Sequence, residues 1–140
     1  MTDKEIKPLN WAPAPGIGYV VVRRPDGGMQ VTFVDVSHAT IQHWREFALS
    51  HLFDSDRLTT NLYDLRAILE LPQEAIQYAL EVNSDPSVRN LRVAVVVSSQ
   101  GVLNSVAEIA ALTSGGVEMN VFTDIHVAEA WLARPLTFVK

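Results

Sequence analysis

Asp64 and Asp124 stand at the ends of stretches that read as strands, and two carboxylates at neighbouring strand ends are the minimum for general acid–base work. That work needs one of the two with a raised pKa in a closed cleft. Arg66, two residues after Asp64, acts against it, since a nearby guanidinium keeps a carboxyl ionised and makes a structural ion pair. Asp124 is accounted for as a helix cap. Ser98-Ser99-Gln100-Gly101 leads from a strand into a helix, where backbone N–H groups can receive an anion. It lacks the glycines and lysine of G-x-x-x-x-G-K and the Gly-x-Ser-x-Gly setting of a serine nucleophile, so a serine N-cap is the expected role.

Metal chemistry finds less support. Of His38, His43, His51 and His126, no two have the i, i+4 spacing that puts two ligands on one helix turn. His43 and His51 share a helix face two turns apart, too far to chelate one ion. The chain has no cysteine, which excludes disulfides, thiolate metal sites and cysteine nucleophiles. No metal and no cofactor are expected, and the histidines are expected on exposed helix faces.

The elements that position these residues follow from pattern. Tyr19-Val20-Val21-Val22-Arg23-Arg24 is β-branched, Pro25-Asp26-Gly27-Gly28 supplies a hairpin turn, and a second strand runs from Met29 to Val36. Arg23 and Arg24 read as a solvated tip that keeps an edge strand from pairing. Ser37 caps a helix from His38 to Phe53, on which Ile41, Trp44, Ala48 and Leu52 repeat at helical spacing. Thr59 to Leu65 is a strand, and Pro72 opens a helix that ends near Asn83-Ser84-Asp85-Pro86. The apolar stretch Leu91–Val97, interrupted only by Arg92, predicts a strand buried on both faces. A helix through Val102, Val106 and Ile109, a strand over Glu118–Phe122 and a helix through Ala128, Trp131 and Leu132 complete the order. Strands joined by single helices run parallel, so the sheet is mixed, with one antiparallel hairpin strand.

With 140 residues, 48% of them hydrophobic and 19% charged, the chain is long enough for one well-buried core. Residues 1–18 read as an extended arm and 19–140 as one α/β domain. Pro8, Pro13 and Pro15 forbid helix in the arm, and Trp11 is too apolar to stay in water, so the arm should dock on its own domain or on a second copy in a homodimer. The net charge of -5 argues against nucleic acid or anionic lipid as a partner. No stretch suits a bilayer span or a secretory signal, and a cytoplasmic protein is expected.

The order β-β-α-β-α-β-α-β-α over Tyr19 to Leu132 resembles the STAS domains, in particular their SpoIIAA-like branch. The resemblance is carried by the opening hairpin, by Leu91-Arg92-Val93-Ala94-Val95-Val96-Val97, and by Val121-Phe122-Thr123-Asp124 before Glu129-Ala130-Trp131-Leu132. It implies an α/β sandwich of a mixed sheet and four helices, and a non-catalytic regulatory domain that acts by protein–protein interaction. The family's phosphorylation switch places a serine or threonine after an aspartate at the start of the second helix. Here Asp64 is followed by no hydroxyl before Pro72, so the switch is not carried over.

In open α/β sheets ligands sit beyond the carboxyl ends of the parallel strands. Ser37, His38, Asp64, Arg66, Ser98, Ser99, Gln100, Thr123 and Asp124 are therefore expected along one edge, where they bind a partner or ligand or simply cap helices. Phe33, Trp44, Phe122 and Trp131, with Met29 and Val121, are the candidates to wall a cavity for a small apolar or lipid-like ligand, against the alternative of plain core packing. An unknown protein partner, such a ligand, and an enzyme using Asp64 or Asp124 as base are the three functions to separate.

Overall fold

The computed structural model describes residues 11–51, 59–85, 90–113 and 116–134. The elements are β1 (Tyr19–Arg23), β2 (Met29–Phe33), α1 (His38–His51), β3 (Thr59–Leu65), α2 (Gln73–Ser84), β4 (Leu91–Val97), α3 (Gln100–Leu112), β5 (Val117–Phe122) and α4 (Ile125–Leu132). One five-stranded sheet runs β1-β2-β3-β4-β5, with β1 antiparallel to β2 and every later neighbour parallel. This is the mixed sheet that the pattern predicts. β2 stops at Phe33 rather than Val36, because Val34 and Asp35 both donate to the Gly18 carbonyl and the ladder ends on that shared acceptor. The expected last turn of the first helix, at Phe53, lies outside the described residues.

Because the strand order steps one way through the sheet, right-handed crossovers put α1, α2 and α3 on a single face. Alternate strand residues meet them: Val31, Phe33, Val93 and Val95 join Phe47, Val82, Val102 and Val106 in the larger core. The opposite set, Leu62, Ala94 and Val96, packs against Ala128 and Leu132 of α4. With helices on both sides, all seven residues of β4 are buried. Arg92 is among them at 1% exposure, bonded through Nε to Glu118 and through its terminal nitrogen to the Arg134 carbonyl. The short α4 leaves β1 uncovered on this face, and Val20 and Val22 stay half exposed.

The hairpin tip differs from expectation. Arg24 is buried, not solvated, because α4 brings Glu129 over it and Asp26 of the turn meets the same guanidinium. Trp11, in the described part of the arm, packs on its own domain with its ring 5.7 Å from that of Tyr19. The Gly18 N–H then donates to Thr40 Oγ1, which ties the end of the arm to α1.

Candidate functional site

Two places draw the predicted residues together. The first is the rim at the carboxyl ends of the parallel strands. Asp64 pairs with Val96 and Val96 with Phe122, so the ends of β3, β4 and β5 are level, and Asp64, Ser98 and Thr123 follow on adjacent strands. Asp64, only 8% exposed, accepts from the Arg66 backbone N–H at 3.0 Å and from its guanidinium at 2.9 and 2.7 Å. The Arg66 guanidinium holds the Asp64 carboxyl below the usual carboxylate range. Ser98 Oγ donates to the Arg66 carbonyl and Ser99 Oγ to the Leu69 carbonyl.

Most of these groups also finish helices. Ser99 accepts from Val102 N as the N-cap of α3, Asp124 accepts from His126 N and Val127 N at the start of α4, and Ser37 accepts from Thr40 N in α1. Gln100 donates to Asn104 one turn on, and His38 Nδ1 lies 2.6 Å from Glu74. Thr123 is exposed. His43 departs from the exposed-face expectation: it is half-buried, with Nδ1 hydrogen-bonded to the Tyr19 hydroxyl at 2.7 Å. Sequence reasoning passed over Asp35 and Thr40, which bond each other at 2.7 Å while Asp35 also takes the Ser37 N–H. The spacing Asp35, Ser37, Thr40 was the available signal, a cluster of short polar side chains at a helix start. Among the described residues no group of three or more histidines, aspartates or glutamates converges on a metal position.

The second place is a cavity of about 100 Å3 on the three-helix face. α2 packs against α1 and α3. Ala75 and Ala79 sit one turn apart on α2 and line the cavity with methyl groups alone, so the helix leaves space at these two positions, while Val82 farther along it joins the core. Asn61, Tyr63, Val93 and Val95 form the floor, and Trp44 of α1 and Val106 of α3 form the walls. Trp44 Nε1 donates to the Tyr63 hydroxyl at 3.0 Å, with the rings edge to face, and Tyr63 stacks beyond it on Phe33. Burial pushes the Tyr63 hydroxyl well above its ordinary pKa. Among the described residues that line it, none carries a charge.

The four aromatic residues expected around one cavity divide between the faces. Phe33 and Trp44 line it. Phe122 and Trp131 lie on the other side of the sheet, with ring centroids 5.5 Å apart, and Arg92 sits over the Trp131 ring. The reason is strand parity: Val121 belongs to the cavity-side core, so Phe122, the next residue, points to the α4 side. Met29 is also in the cavity-side core but does not line the cavity. Asn61 was missed, a polar residue flanked by threonine and leucine in a strand.

No protein-family model and no curated protein matches the chain. Among solved structures it is similar to an uncharacterized protein of the DUF3478 family with a SpoIIAA-like fold, from Shewanella loihica PV-4. The two share 18% identity and a TM-score of 0.61 over 88% of this chain and the whole of that one. The chain therefore has a SpoIIAA-like α/β fold. Among the described residues no helix is long and apolar enough to cross a membrane.

Proposed function

We propose that this chain is a non-catalytic domain that carries a small apolar ligand between α2 and the sheet. The observation behind this reading is the cavity itself, bordered by the methyl groups of Ala75 and Ala79 and lined by no charged group among the described residues. Protein interiors are close-packed, and apolar side chains that face unfilled space lose packing contacts there. A ligand in that space recovers the lost contacts. The rim supports a non-catalytic role, since Asp64 is paired to Arg66 and Asp124 is engaged at the start of α4. Native mass spectrometry of freshly purified protein tests the reading. An added mass is expected that organic extraction removes and that Ala79→Leu protein lacks. Absence of any added mass, together with no response of the cavity amides to small apolar probes, would overturn it.

A second reading, a protein-interaction domain working at the rim, is favoured by Leu69. It is 79% exposed on a loop whose carbonyls at 66 and 69 accept from Ser98 and Ser99. Leu69→Ser would then abolish partner binding while leaving stability unchanged.

A further inference from the structure

We infer that the ligand is a neutral molecule bearing a hydrogen-bond-accepting oxygen on a compact apolar body, and that Asn61 Nδ2 recognises that oxygen. The inference rests on the carrier reading and adds the chemistry of what is carried.

Asn61 has 0% exposure and lines the cavity. Its Oδ1 accepts from the Met29 backbone N–H at 3.0 Å, which fixes the orientation of the amide, because an amino group cannot accept from that donor. The NH2 end is thereby turned away from Met29, and it has no partner among the described residues. Buried polar nitrogens are nearly always bonded, so a buried amide donor left without an acceptor beside an apolar cavity marks the place where an acceptor belongs. Tyr63, two residues along the same strand face, already uses its oxygen to accept from Trp44 and has its hydroxyl proton to offer. Asn61 Nδ2 is thus the donor at the floor that has no acceptor among the described residues.

The charge of the ligand follows from what is missing around it. Among the described residues no lysine, arginine or histidine lines the space, so a carboxylate or phosphate would lose its hydration with no counter-charge from them. A ketone, aldehyde, ester or ether oxygen loses far less. The volume suits a body on the scale of a six-membered ring, given that an engineered cavity of roughly 150 Å3 takes up benzene.

Because Asn61 Oδ1 also holds the Met29 N–H, the test keeps the wild-type chain and varies the probe. Isotope-labelled protein is titrated with cyclohexanone, with its isostere methylenecyclohexane, and with cyclohexanecarboxylate. The amides of Ala75, Ala79 and Val106 and the side-chain amide of Asn61 are followed by NMR. Cyclohexanone is expected to bind roughly fivefold or more tighter than methylenecyclohexane, the worth of one neutral hydrogen bond. Only the ketone should move the Asn61 amide protons, and the carboxylate should leave every cavity amide unmoved. Equal affinities for ketone and alkene with Asn61 unmoved would overturn the role of Asn61 and leave the carrier reading standing. Preferential binding of the carboxylate would overturn the neutral-ligand assignment. If neither neutral probe moves the cavity amides, the carrier reading fails and this inference fails with it.

Discussion

The Arg24 guanidinium and the Glu129 carboxylate, 105 residues apart in the chain, meet in a two-point pair at 2.7 and 3.1 Å. Asp26 approaches the same guanidinium at 3.2 Å and is itself held by the Thr60 hydroxyl and the Gly28 N–H. The hairpin turn, β3 and α4 are therefore joined at one point on the face where α4 is the only helical cover among the described elements. α4 has eight residues, too few to be stable alone, so its place depends on packing and on this anchor.

Cutting the anchor from its two ends should cost different amounts. Glu129→Gln leaves Arg24 bonded to Asp26 and is expected to lower stability by about 1 kcal/mol. Arg24→Ala removes a buried guanidinium that bridges both carboxylates and is expected to cost about 2–3 kcal/mol. Urea unfolding at constant m-value measures both, and equal losses for the two variants would show that Asp26 contributes nothing to the bridge.

Asp64 sets an acid limit on stability. Its folded pKa lies below the unfolded value of about 3.9, with the Arg66 hydrogen bonds as the main cause. The folded state thus binds fewer protons, and the contribution is present above that unfolded value and is lost as pH falls through the lower folded one. Arg66 is half exposed, so the pair is expected to contribute only about 1 kcal/mol. Asp64→Asn should lower stability by that amount at pH 7 and converge with the wild type at strongly acid pH. A constant difference across the acid range would remove the ionic explanation.

At the alkaline end the tyrosines act with the opposite sign. Burial pushes the Tyr19 hydroxyl up to about 12 and that of Tyr63 higher still. An unfolded tyrosine ionises near 10, so the stabilising contribution is whole below that pH and is lost as pH rises through the folded values. Tyrosinate absorbance of these two groups should appear together with loss of the fold, in one cooperative step. Ionisation of Tyr19 or Tyr63 while the far-ultraviolet circular dichroism stays native would contradict their burial.

What the sequence makes legible is local. The limits of β3 and β4 coincide with the stretches Thr59–Leu65 and Leu91–Val97 that read as strands, and the capping serine and aspartate, Ser99 and Asp124, stand at the expected helix starts. The level strand ends follow from parallel crossovers, which is why Asp64, Ser98 and Thr123 come out on one rim. What depends on distant partners is not legible. Arg24 looks like a surface cation until α4 folds over it, and Phe122 looks equivalent to Phe33 until the parity of β5 is known. The cavity is hidden for the same reason. Ala75 and Ala79 are ordinary helix formers in the sequence, and only the layer spacing shows that nothing fills the space beneath them.

The hairpin turn offers a direct steric check. A Cβ at Gly28 would lie 1.6 Å from the Thr60 carbonyl oxygen, a backbone atom of a paired strand that cannot move alone. A Cβ at Gly27 would meet open space, but its φ of +92° is strained for any other residue. Gly28→Ala is therefore expected to abolish soluble, folded expression, whereas Gly27→Ala should fold with a loss of about 1 kcal/mol. Comparable thermal melts for the two variants would place the β1–β2 turn farther from β3 than the structure does.

Ala79→Leu separates stability from function. The substitution puts an isobutyl group where a methyl faces the cavity, between Trp44 and the β3–β4 floor. Filling apolar space adds roughly 0.8 kcal/mol per buried methylene, offset by whatever strain the new rotamer imposes on Tyr63 and Val106. With about 100 Å3 available, the gain should exceed the strain, and the variant is expected to be about 1 kcal/mol more stable than the wild type without ligand. It should no longer respond to cyclohexanone, so the order of stability reverses once the wild type is saturated with ligand, which stabilises only the form that binds it. Thermal melts of both proteins with and without the ketone measure this crossing. A variant less stable than the wild type in every condition would mean that α2 already rests on the sheet, with no room beneath it.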